Sequence, residues 1–376
     1  VDAACNAEQI LFFPPGDYRL KTTITFPDKS FIIAGAGPTA TVISADTTTP
    51  SITLFDFTGC SGPAKVIRDI SFNGPDVGVY GGIAVKAHGN GFLFSNVWFR
   101  GIDVGIDAAG SYVNTDNCVA EYCAVAAMTT DALDESIWRG WTLYKNLTDF
   151  EIAGNNTTFI ISDTNAIATK DYVFNTTCNG LVIDGLTVAN DGTAYTAGAN
   201  NLISNITINS FGNRGIFFEG SGATGNRVSN VNFYNAANGI LFSEASRNSI
   251  SNVTIRGCEN GYGIYFDTCQ NNIIENFNFI GNKYNVRISS AEDNALYNGE
   301  MSDAVTADFY YPTNNTAEIF ISNVRANFAG ISSLAYKMQT LPGGKKLVSA
   351  SSAPASGTWA VGDIVYNTAP ISGGYI

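Results

Sequence analysis

The sequence predicts an all-β fold, a parallel β-helix solenoid of about 21–25 residues per coil, and three observations support that prediction. First, one motif recurs four times, with asparagines at Asn205, Asn230, Asn252 and Asn276 spaced by 25, 22 and 24 residues. Second, each asparagine precedes a run of alternating apolar and polar residues, which is typical of a strand with one buried face. Third, a second such run follows in each repeat after polar turn residues, whereas no helical heptad or leucine-rich pattern fits.

The four repeated asparagines have a structural interpretation with two alternatives. Stacked side-chain amides can hydrogen-bond from coil to coil and satisfy backbone groups at a corner. Alternatively, asparagine simply tolerates the left-handed backbone conformation that a corner requires. Neither alternative gives these positions a catalytic role.

The composition of the chain argues against two classes of function, nucleic-acid binding and membrane insertion. The chain of 376 residues is 45% hydrophobic and carries a net charge of −13, and its 20 Lys and Arg form no run, which argues against nucleic-acid binding. No apolar stretch approaches the ~18 residues of a membrane span, so no membrane insertion is predicted. The seven cysteines include no CxxC pair, and Cys118, Cys123 and Cys258 occupy inward positions of the repeat as small core residues. The first residue is not Met, and we expect an internal piece of a longer polypeptide.

The repeat and its interruptions divide the chain. Residues 128–179 break the period, and a loop of that length in a solenoid is a functional insertion or a cap. A Ser/Ala/Pro-rich stretch after the last regular strand predicts a linker. The predicted organisation is a β-helix over 1–345, with N-terminal coils and cap at 1–60, an irregular insertion at 128–179 and regular coils at 200–293, and then a linker and the start of a small C-terminal β segment at 346–376.

Two stretches carry a family resemblance. FFPPGDYRL, followed by ITF and IIAGAG, resembles the opening coils of the pectate-lyase-like superfamily of right-handed parallel β-helices, and the likeness extends to about Asn323. The tail GTWAVGDIVYNTAPISGGYI resembles the β segment that follows the β-helix in phage tailspikes. The resemblance implies the right hand of the solenoid, a homotrimer located in the virion at the phage tail, contact with other tail or baseplate proteins, and recognition of a bacterial surface polysaccharide, either capsule or O-antigen.

The predicted catalytic residues are carboxylates on the second strand of the repeat. Glu219 and Asp267 fall in one outward column two coils apart, about 9.6 Å between backbones, with Glu244 on the intervening coil. Inverting glycosidases hold their acid and base ~6.5–9.5 Å apart, so side-chain reach brings this pair into range for glycosidic-bond hydrolysis. The alternative is that all three are ordinary surface carboxylates. The column beside them holds Phe217, Leu241 and Tyr265, an apolar line expected to pack on a neighbouring subunit or to stack on sugar rings.

The predicted insertion is a second candidate site. It combines carboxylates and cations with flat rings, as carbohydrate sites do. The alternative is a folded loop whose tryptophans bury themselves against the coils. The predicted substrate-binding residues are Asp131, Asp134, Glu135, Trp138, Arg139, Trp141 and Tyr144, together with Tyr265 of the apolar column.

The sequence leaves lyase chemistry and calcium binding open as alternatives to hydrolysis. Lyase chemistry needs a base beside a uronate carboxylate, often with a cation that neutralises the carboxylate. The single histidine, His88, has no partner near it in sequence, so no histidine-based triad, metal site or cofactor is predicted, while calcium bound through Asp side chains stays open. Three functions follow: a tailspike depolymerase, a tailspike that binds without cutting, and a secreted monomeric microbial lyase or hydrolase.

Overall fold

A computed structural model gives the structure of the chain. It describes residues 10–62, 64–75, 81–189, 193–209, 214–310, 319–326, 339–341, 345–350 and 364–367. The described part of the chain contains no helical segment with the length and hydropathy of a membrane span.

The described residues form 34 β-strands and no helix. In chain order, the strands are β1 (Ile10–Phe13), β2 (Gly16–Leu20), β3 (Ile24–Thr25), β4 (Phe31–Gly35), β5 (Thr41–Ala45), β6 (Thr53–Asp56), β7 (Lys65–Asn73), β8 (Ile83–His88), β9 (Phe92–Arg100), β10 (Val104–Ser111), β11 (Val113–Asp116), β12 (Val119–Glu121), β13 (Val125–Asp134), β14 (Ile137–Arg139), β15 (Thr142–Tyr144), β16 (Thr148–Ile152), β17 (Asn155–Ile167), β18 (Tyr172–Thr176), β19 (Asn179–Ala189), β20 (Thr193–Ala197), β21 (Leu202–Asn209), β22 (Ile216–Glu219), β23 (Arg227–Tyr234), β24 (Ile240–Ser243), β25 (Ser249–Arg256), β26 (Tyr262–Asp267), β27 (Ile273–Ile280), β28 (Tyr284–Ser289), β29 (Asn294–Ser302), β30 (Ala307–Tyr310), β31 (Ile319–Arg325), β32 (Gln339–Leu341), β33 (Lys345–Ala350) and β34 (Ile364–Asn367).

The strands stack as a β-solenoid of about 12 turns, which confirms the predicted fold class. Each coil contributes to two parallel sheets. In sheet A, for example, β27 pairs with β25 and β29, and in sheet B, β24 pairs with β22 and β26. Between the first and last described coils, the strands therefore pair with the coil before and the coil after, and their alternate residues point into one continuous core.

The C-terminal strands form a separate three-stranded sheet. β32 pairs antiparallel with β33, and β33 pairs parallel with β34. A small C-terminal β segment was predicted from the sequence. The linker prediction is wrong where it overlaps β33, because Ser349 and Ala350 pair with Tyr366 and Asn367 there.

Residues 128–179 are not an irregular insertion, so that prediction is wrong. β13 pairs in parallel with β10 and β16, and β17 pairs with β19 over nearly its whole length. The segment consists of ordinary coils whose period is hidden in the sequence. The reason is the core, which is filled here by large rings such as Trp138, Trp141 and Phe150 in place of a repeated residue type.

The repeated asparagines combine both interpretations. Asn205, Asn230, Asn252 and Asn276 all have positive φ, between 52° and 55°, which bends sheet A at each coil. Their amides also form a ladder, in which Asn230 donates to Asn205 and Asn252 donates to Asn230, each at 3.2 Å. The ladder lies on the surface, so it does not satisfy buried backbone groups.

A second asparagine ladder lies inside the solenoid, four residues before each surface asparagine. Its members are fully or almost fully buried, and each side-chain oxygen accepts a hydrogen bond from the backbone N–H of the preceding member, as Asn272 does from Asn248 at 3.0 Å. Each side-chain amide donates to a backbone carbonyl one coil back, as Asn248 does to Ala223 at 2.9 Å. The ladder closes the backbone hydrogen bonds of a buried corner. It comprises Asn201, Asn226, Asn248, Asn272 and Asn294.

The cysteines follow the prediction. Cys118, Cys123 and Cys258 are fully buried, and burial raises the pKa of all three thiols to about 12. They are small core residues without nucleophilic character at neutral pH.

Candidate functional site: the outer face of sheet B

The outer face of sheet B carries a column of side chains along most of the solenoid. The backbone register places one outward residue per coil, and adjacent coils in such a stack lie ~4.8 Å apart. The early coils contribute mostly charged or amide side chains and the later coils mostly aromatic ones. The column runs through Asp56, Lys86, Asp107, Met128, Glu151 and Asn175 and, after the backbone position of residue 196, continues through Phe217, Leu241, Tyr265, Arg287 and Tyr310.

The predicted catalytic carboxylates lie on this face. Glu219, Ser243 and Asp267 are in register on successive coils, as the sequence predicted, so two coil steps separate the two acids. Glu219 is exposed and Asp267 is half-buried. Glu244 is exposed at the corner that follows β24, with a φ of 56°, and its backbone N–H donates to the carbonyl of Asp267. The three carboxylates therefore share one edge of the face.

The neighbouring apolar column is less exposed than the sequence suggested. Phe217 and Leu241 are only 7% and 5% exposed, because they pack with Tyr262, against which Tyr265 and Tyr284 also pack. The prediction that Phe217 and Leu241 pack on a neighbouring subunit or stack on sugar rings is therefore wrong, since these side chains already pack within their own chain. The surface they support, here named the aromatic–arginine cluster, consists of Arg214, Phe217, Leu241, Tyr262, Tyr265, Tyr284, Arg287 and Tyr310.

Two guanidinium groups lie against the rings of this cluster. Arg214 is 4.2 Å from the centroid of Phe217, and Arg287 is 4.3 Å from that of Tyr265 and 5.8 Å from that of Tyr310. Each contact is within cation–π range. Burial raises the pKa of Tyr262 to about 12, against the opposing effect of both arginines, so its hydroxyl stays a neutral hydrogen-bonding group.

One donor in the cluster has no acceptor. The Nε of Arg287 is buried and has no hydrogen-bond partner among the described residues. A buried, unpaired guanidinium donor costs free energy. The guanidinium groups and rings of the cluster are the kinds of group that pair with an anionic oxygen and pack against a sugar ring.

The two tryptophans of the predicted insertion are core residues, which corrects their assignment to substrate binding. Trp138 and Trp141 are 0% and 1% exposed. The indole of Trp138 donates to the carbonyl of Val113 at 2.9 Å, and that of Trp141 donates to the hydroxyl of Thr115 at 2.7 Å. Their polar atoms are satisfied inside the solenoid, so neither ring is available to a polysaccharide on the outside.

The other predicted residues of this region are distributed over different surfaces. Arg139 is exposed and pairs with Asp116 at 2.9 Å. Tyr144 packs edge-on against Tyr122, with the ammonium of Lys145 4.9 Å from its ring. Substrate contact by Asp131, Asp134, Glu135, Arg139 and Tyr144 stays a prediction.

Sequence reasoning missed a histidine–carboxylate pair on the early coils. The Nε2 of His88 is 3.0 Å from Oδ1 of Asp107, and the hydroxyl of Thr130 lies 3.3 Å from the same oxygen and 3.4 Å from Nε2. His88 therefore has partners, contrary to the expectation from the sequence. Asp107 is buried, and Lys86 is its in-register neighbour in the column. The residues lie about 20 positions apart in sequence and meet only because the coils stack.

Extending the repeat spacing of the later coils back to the early coils would have aligned these residues. The offset that links Phe217 to Leu241 and Tyr265 also leads back, coil by coil, to Asp107 and Lys86. The signal is weak in the sequence because the column changes from aromatic to charged residues.

Comparison with known proteins places the fold among β-helical proteins. Residues 149–328 match the family described as Periplasmic copper-binding protein (NosD). No curated protein sequence matches the chain. Among solved structures, the A-module of Azotobacter vinelandii mannuronan C-5 epimerase AlgE4 aligns with a TM-score of 0.57 at 15% identity, over 85% of this chain and 93% of that one.

Two further structures are similar. The tailspike protein 3 of bacteriophage CBA120 aligns with a TM-score of 0.57 at 13% identity, over 90% of this chain and 60% of that one. The catalytic domain of a GH87 α-1,3-glucanase variant in complex with tetrasaccharides aligns with a TM-score of 0.51 at 13% identity, over 84% of this chain and 64% of that one. At these identities the likeness establishes the fold.

Proposed function

We propose that this chain is the β-helical part of a phage tailspike that binds an acidic bacterial surface polysaccharide, capsule or O-antigen, along the outer face of sheet B and depolymerises it. The observation that carries the proposal is the aromatic–arginine cluster, where Arg287 has an unpaired buried donor beside the rings of Tyr265 and Tyr310. The similar structures support the substrate class, since they include a mannuronan epimerase and a tetrasaccharide-bound glucanase, and one of them is a tailspike.

The cluster explains how a chain of net charge −13 attracts an anionic polymer. The carboxylate of a uronate or sialate would accept hydrogen bonds from Arg287 and Arg214, and the apolar face of the sugar would lie on Tyr265 and Tyr310. A linear glycan would then follow the column, because the solenoid presents an equivalent surface every ~4.8 Å.

The binding test uses a panel of acidic and neutral capsular polysaccharides and O-antigens. We expect Arg287→Gln to weaken binding of the acidic ligand by tenfold or more, a loss of at least ~1.4 kcal/mol. Arg227→Gln, at an exposed arginine on sheet A, is the matched control and should bind as wild type. Equal affinity of Arg287→Gln and wild type for every acidic glycan would reject this site.

For cleavage, we propose hydrolysis with Glu219 and Asp267 as the acid–base pair and Glu244 as an auxiliary carboxylate. One carboxyl donates a proton to the departing glycosidic oxygen, and the other accepts a proton from the water that attacks the anomeric carbon. Glu219→Gln and Asp267→Asn should each reduce the release of reducing ends by ~10²–10⁴-fold. Glu275→Gln on sheet A is the control, and Asp134→Asn tests the predicted site at 128–179. Undiminished cleavage by Glu219→Gln and Asp267→Asn would reject the assignment.

A second reaction is favoured by the His88–Asp107 pair, namely β-elimination from a uronate. With Nε2 facing Asp107, the other ring nitrogen of His88 can remove the proton beside the sugar carboxylate, while Lys86 neutralises that carboxylate. The electron pair of the broken C–H bond forms the C=C bond, and the glycosidic oxygen leaves from the adjacent carbon. The product absorbs in the ultraviolet, so it is distinguished from hydrolysis directly.

One assay, which follows both the ultraviolet absorbance and the reducing ends of the products, distinguishes hydrolysis from elimination. Ultraviolet absorbance that His88→Gln abolishes and Glu219→Gln preserves would assign elimination and exclude hydrolysis at the carboxylate pair. Reducing ends without absorbance would do the reverse. Binding without any product would identify a receptor-binding protein that does not cut.

A further inference from the structure

A cavity opens on the outer face of sheet A at the last described coils of the solenoid, and none of the sites proposed above uses it. Its volume is about 270 Å³. The lining, here named the corner cavity, combines strand residues with two residues of the corner that precedes β27 and β29. It includes Asn271, Ile273, Asp293, Ala295, Tyr297 and Phe320.

The corner cavity exists because a small side chain lies between two large ones. Ile273, Ala295 and Phe320 are in register on successive coils, ~4.8 Å apart, and belong to one outward column. Alanine is much smaller than either neighbour, so the column has a depression at the middle coil. Tyr297 faces the same side two residues beyond Ala295, and its ring lies 5.6 Å from that of Phe320 at an angle of 54°. The depression therefore has an aromatic wall.

The polar groups of the cavity come from the corner. Asn271 and Asp293 occupy equivalent places on adjacent coils, with φ of 57° and 51°, and both are exposed. They supply an amide, which both donates and accepts, and a carboxylate, which accepts. No Lys or Arg is among the described residues that line the cavity. A carboxylate at this rim repels an anionic ligand and accepts hydrogen bonds from neutral hydroxyl groups.

The size and the lining of the cavity fit a single sugar ring. Pockets for drug-sized ligands measure ~300–1,000 Å³, so this cavity holds one ring and excludes an oligosaccharide. The aromatic wall offers a face on which the C–H bonds of a sugar can pack. The aliphatic side chains of Ile273, Ala295 and Ile319 make the rest of the lining apolar, and a hydroxyl group placed against them loses its hydrogen bonds to water. A methyl group in that place gains free energy instead.

We propose that the corner cavity binds a neutral sugar that carries a methyl group, as 6-deoxyhexoses and N-acetylhexosamines do. The methyl group packs on the aliphatic side chains, the ring lies on Tyr297 and Phe320, and a hydroxyl group donates to Asp293. That this sugar is one unit of the polysaccharide bound on sheet B rests on the proposed function, whereas binding of the sugar itself does not.

The corner cavity lies close to the proposed catalytic carboxylates along the chain. Asn271 follows Asp267 by four residues, which span at most ~14 Å of extended backbone. Tyr265, in the aromatic–arginine cluster, lies two residues further back on the same strand. A short glycan can therefore reach from the cluster, past Asp267, to the cavity. The polysaccharide expected from this arrangement contains both an acidic sugar and a neutral sugar with a methyl group.

The test uses monosaccharides as probes of the whole chain, followed by saturation-transfer difference NMR. L-rhamnose and L-fucose carry a 6-deoxy methyl group, N-acetylglucosamine carries an acetyl methyl group, and glucose and glucuronate carry neither. At least one methyl-bearing probe should bind, with the strongest saturation on its methyl protons. Glucose and glucuronate should bind about fivefold more weakly or not at all.

Two variants locate the binding. Phe320→Ala removes one ring of the aromatic wall and should weaken binding of the methyl-bearing probe about fivefold or more. Asn271→Gly removes the amide without straining the corner, because glycine tolerates the φ of 57°, and should weaken binding about threefold. Tyr234→Ala, at an exposed tyrosine on sheet A that does not line the cavity, is the matched control and should bind as wild type. Circular dichroism verifies that each variant keeps the β spectrum.

Binding of none of the methyl-bearing probes would overturn the proposal. Equal binding of glucose or glucuronate, or wild-type affinity in both Phe320→Ala and Asn271→Gly, would overturn it as well. Binding of acidic glycan to wild type is measured on the same preparation and does not require the cavity. Its absence would reject the proposed function and leave the monosaccharide result standing, so the two failures are distinguishable.

Discussion

The two halves of the solenoid have the same backbone architecture and build their cores differently. Up to about residue 180 the core is a set of large rings in varied contacts, such as Phe26 stacked on Phe57 at 4.4 Å and Trp138 edge-on to Phe159 at 4.9 Å. From about residue 200 the same residue type recurs at each level: Phe218, Phe242 and Phe266 stack in one line at nearly parallel orientation.

The buried corner differs in the same way. In the later coils the ladder of Asn201 to Asn294 repeats one amide per coil, whereas no comparable buried run of asparagines is present in the described early coils. A ladder requires identical residues at identical positions, because each amide bonds to the next. Packing of rings requires only that neighbouring shapes fill the space. The comparison teaches that stacked coils need no visible sequence repeat.

The largest expected effect is a loss of stability caused by a substitution in the early half, whose core is packed with large rings. Trp138→Ala should lower the free energy of unfolding by ~3–5 kcal/mol, since it leaves a cavity among Trp141, Phe150 and Phe159 and removes the indole hydrogen bond to the carbonyl of Val113. Urea denaturation measures it. Trp98→Ala, at a half-buried tryptophan on the outer face of sheet A, is the control and should cost less. Weaker glycan binding by the folded Trp138 variant would contradict its placement in the core.

The next largest expected effect is the loss of stability when the buried asparagine ladder of the later half is interrupted. Asn248→Ala removes bonds to Asn226, Asn272 and the carbonyl of Ala223 in a buried corner, and should cost ~2–4 kcal/mol of unfolding free energy. Asn252→Gly, in the surface ladder, should cost ~1 kcal/mol or less, because glycine tolerates the φ of 52° at this position and water can replace the lost hydrogen-bond partner. Loss of one amide side chain from each ladder thus separates the two ladders in one denaturation experiment, and equal costs would refute the distinction.

The smallest effect concerns a buried corner position that holds a carboxyl group in the early half and an amide in the later half. In the early half, buried Asp149 accepts hydrogen bonds from Asn146 and Thr169, and burial raises its pKa to about 7. In the later half Asn282 donates to Asn285 in the same way, and Asn285 in turn donates to the buried carboxyl group of Asp308. Because the pKa of Asp149 in the folded state lies above its ordinary value of 3.8, the folded state binds the proton more tightly than the unfolded state does, and the stability of the fold should fall as the pH rises from about 4 to 7.

Asp149→Asn should remove that dependence. The difference in unfolding free energy between wild type and variant should change by on the order of 2 kcal/mol between the two ends of this window, below the ceiling of ~4 kcal/mol set by the size of the shift. Denaturation midpoints measured across the window provide the test. Parallel pH profiles for the two proteins would show that Asp149 is not the titrating group.

The site could be predicted only in part, for the same physical reason. The column of Glu219, Ser243 and Asp267 follows from counting residues in coils whose period is visible, and the structure keeps it in register. His88 and Asp107 lie in coils whose period is hidden, so nothing local indicated that they would meet. The burial of Trp138 and Trp141 was equally hidden, because a tryptophan beside carboxylates has the same local pattern in a core as in a sugar site.

By itself, the sequence determined that the chain is a β-solenoid, how long its coils are and where its regular corners lie, because alternation and a fixed asparagine spacing are local properties of the chain. Only the tertiary structure decided which faces are available. It buried Phe217 and Leu241 in a cluster with Tyr262, paired His88 with Asp107, and left Ile137 and Leu202 exposed on the outer face of sheet A. Those outcomes depend on contacts between coils some 20 residues apart, which the spacing along a single coil does not contain.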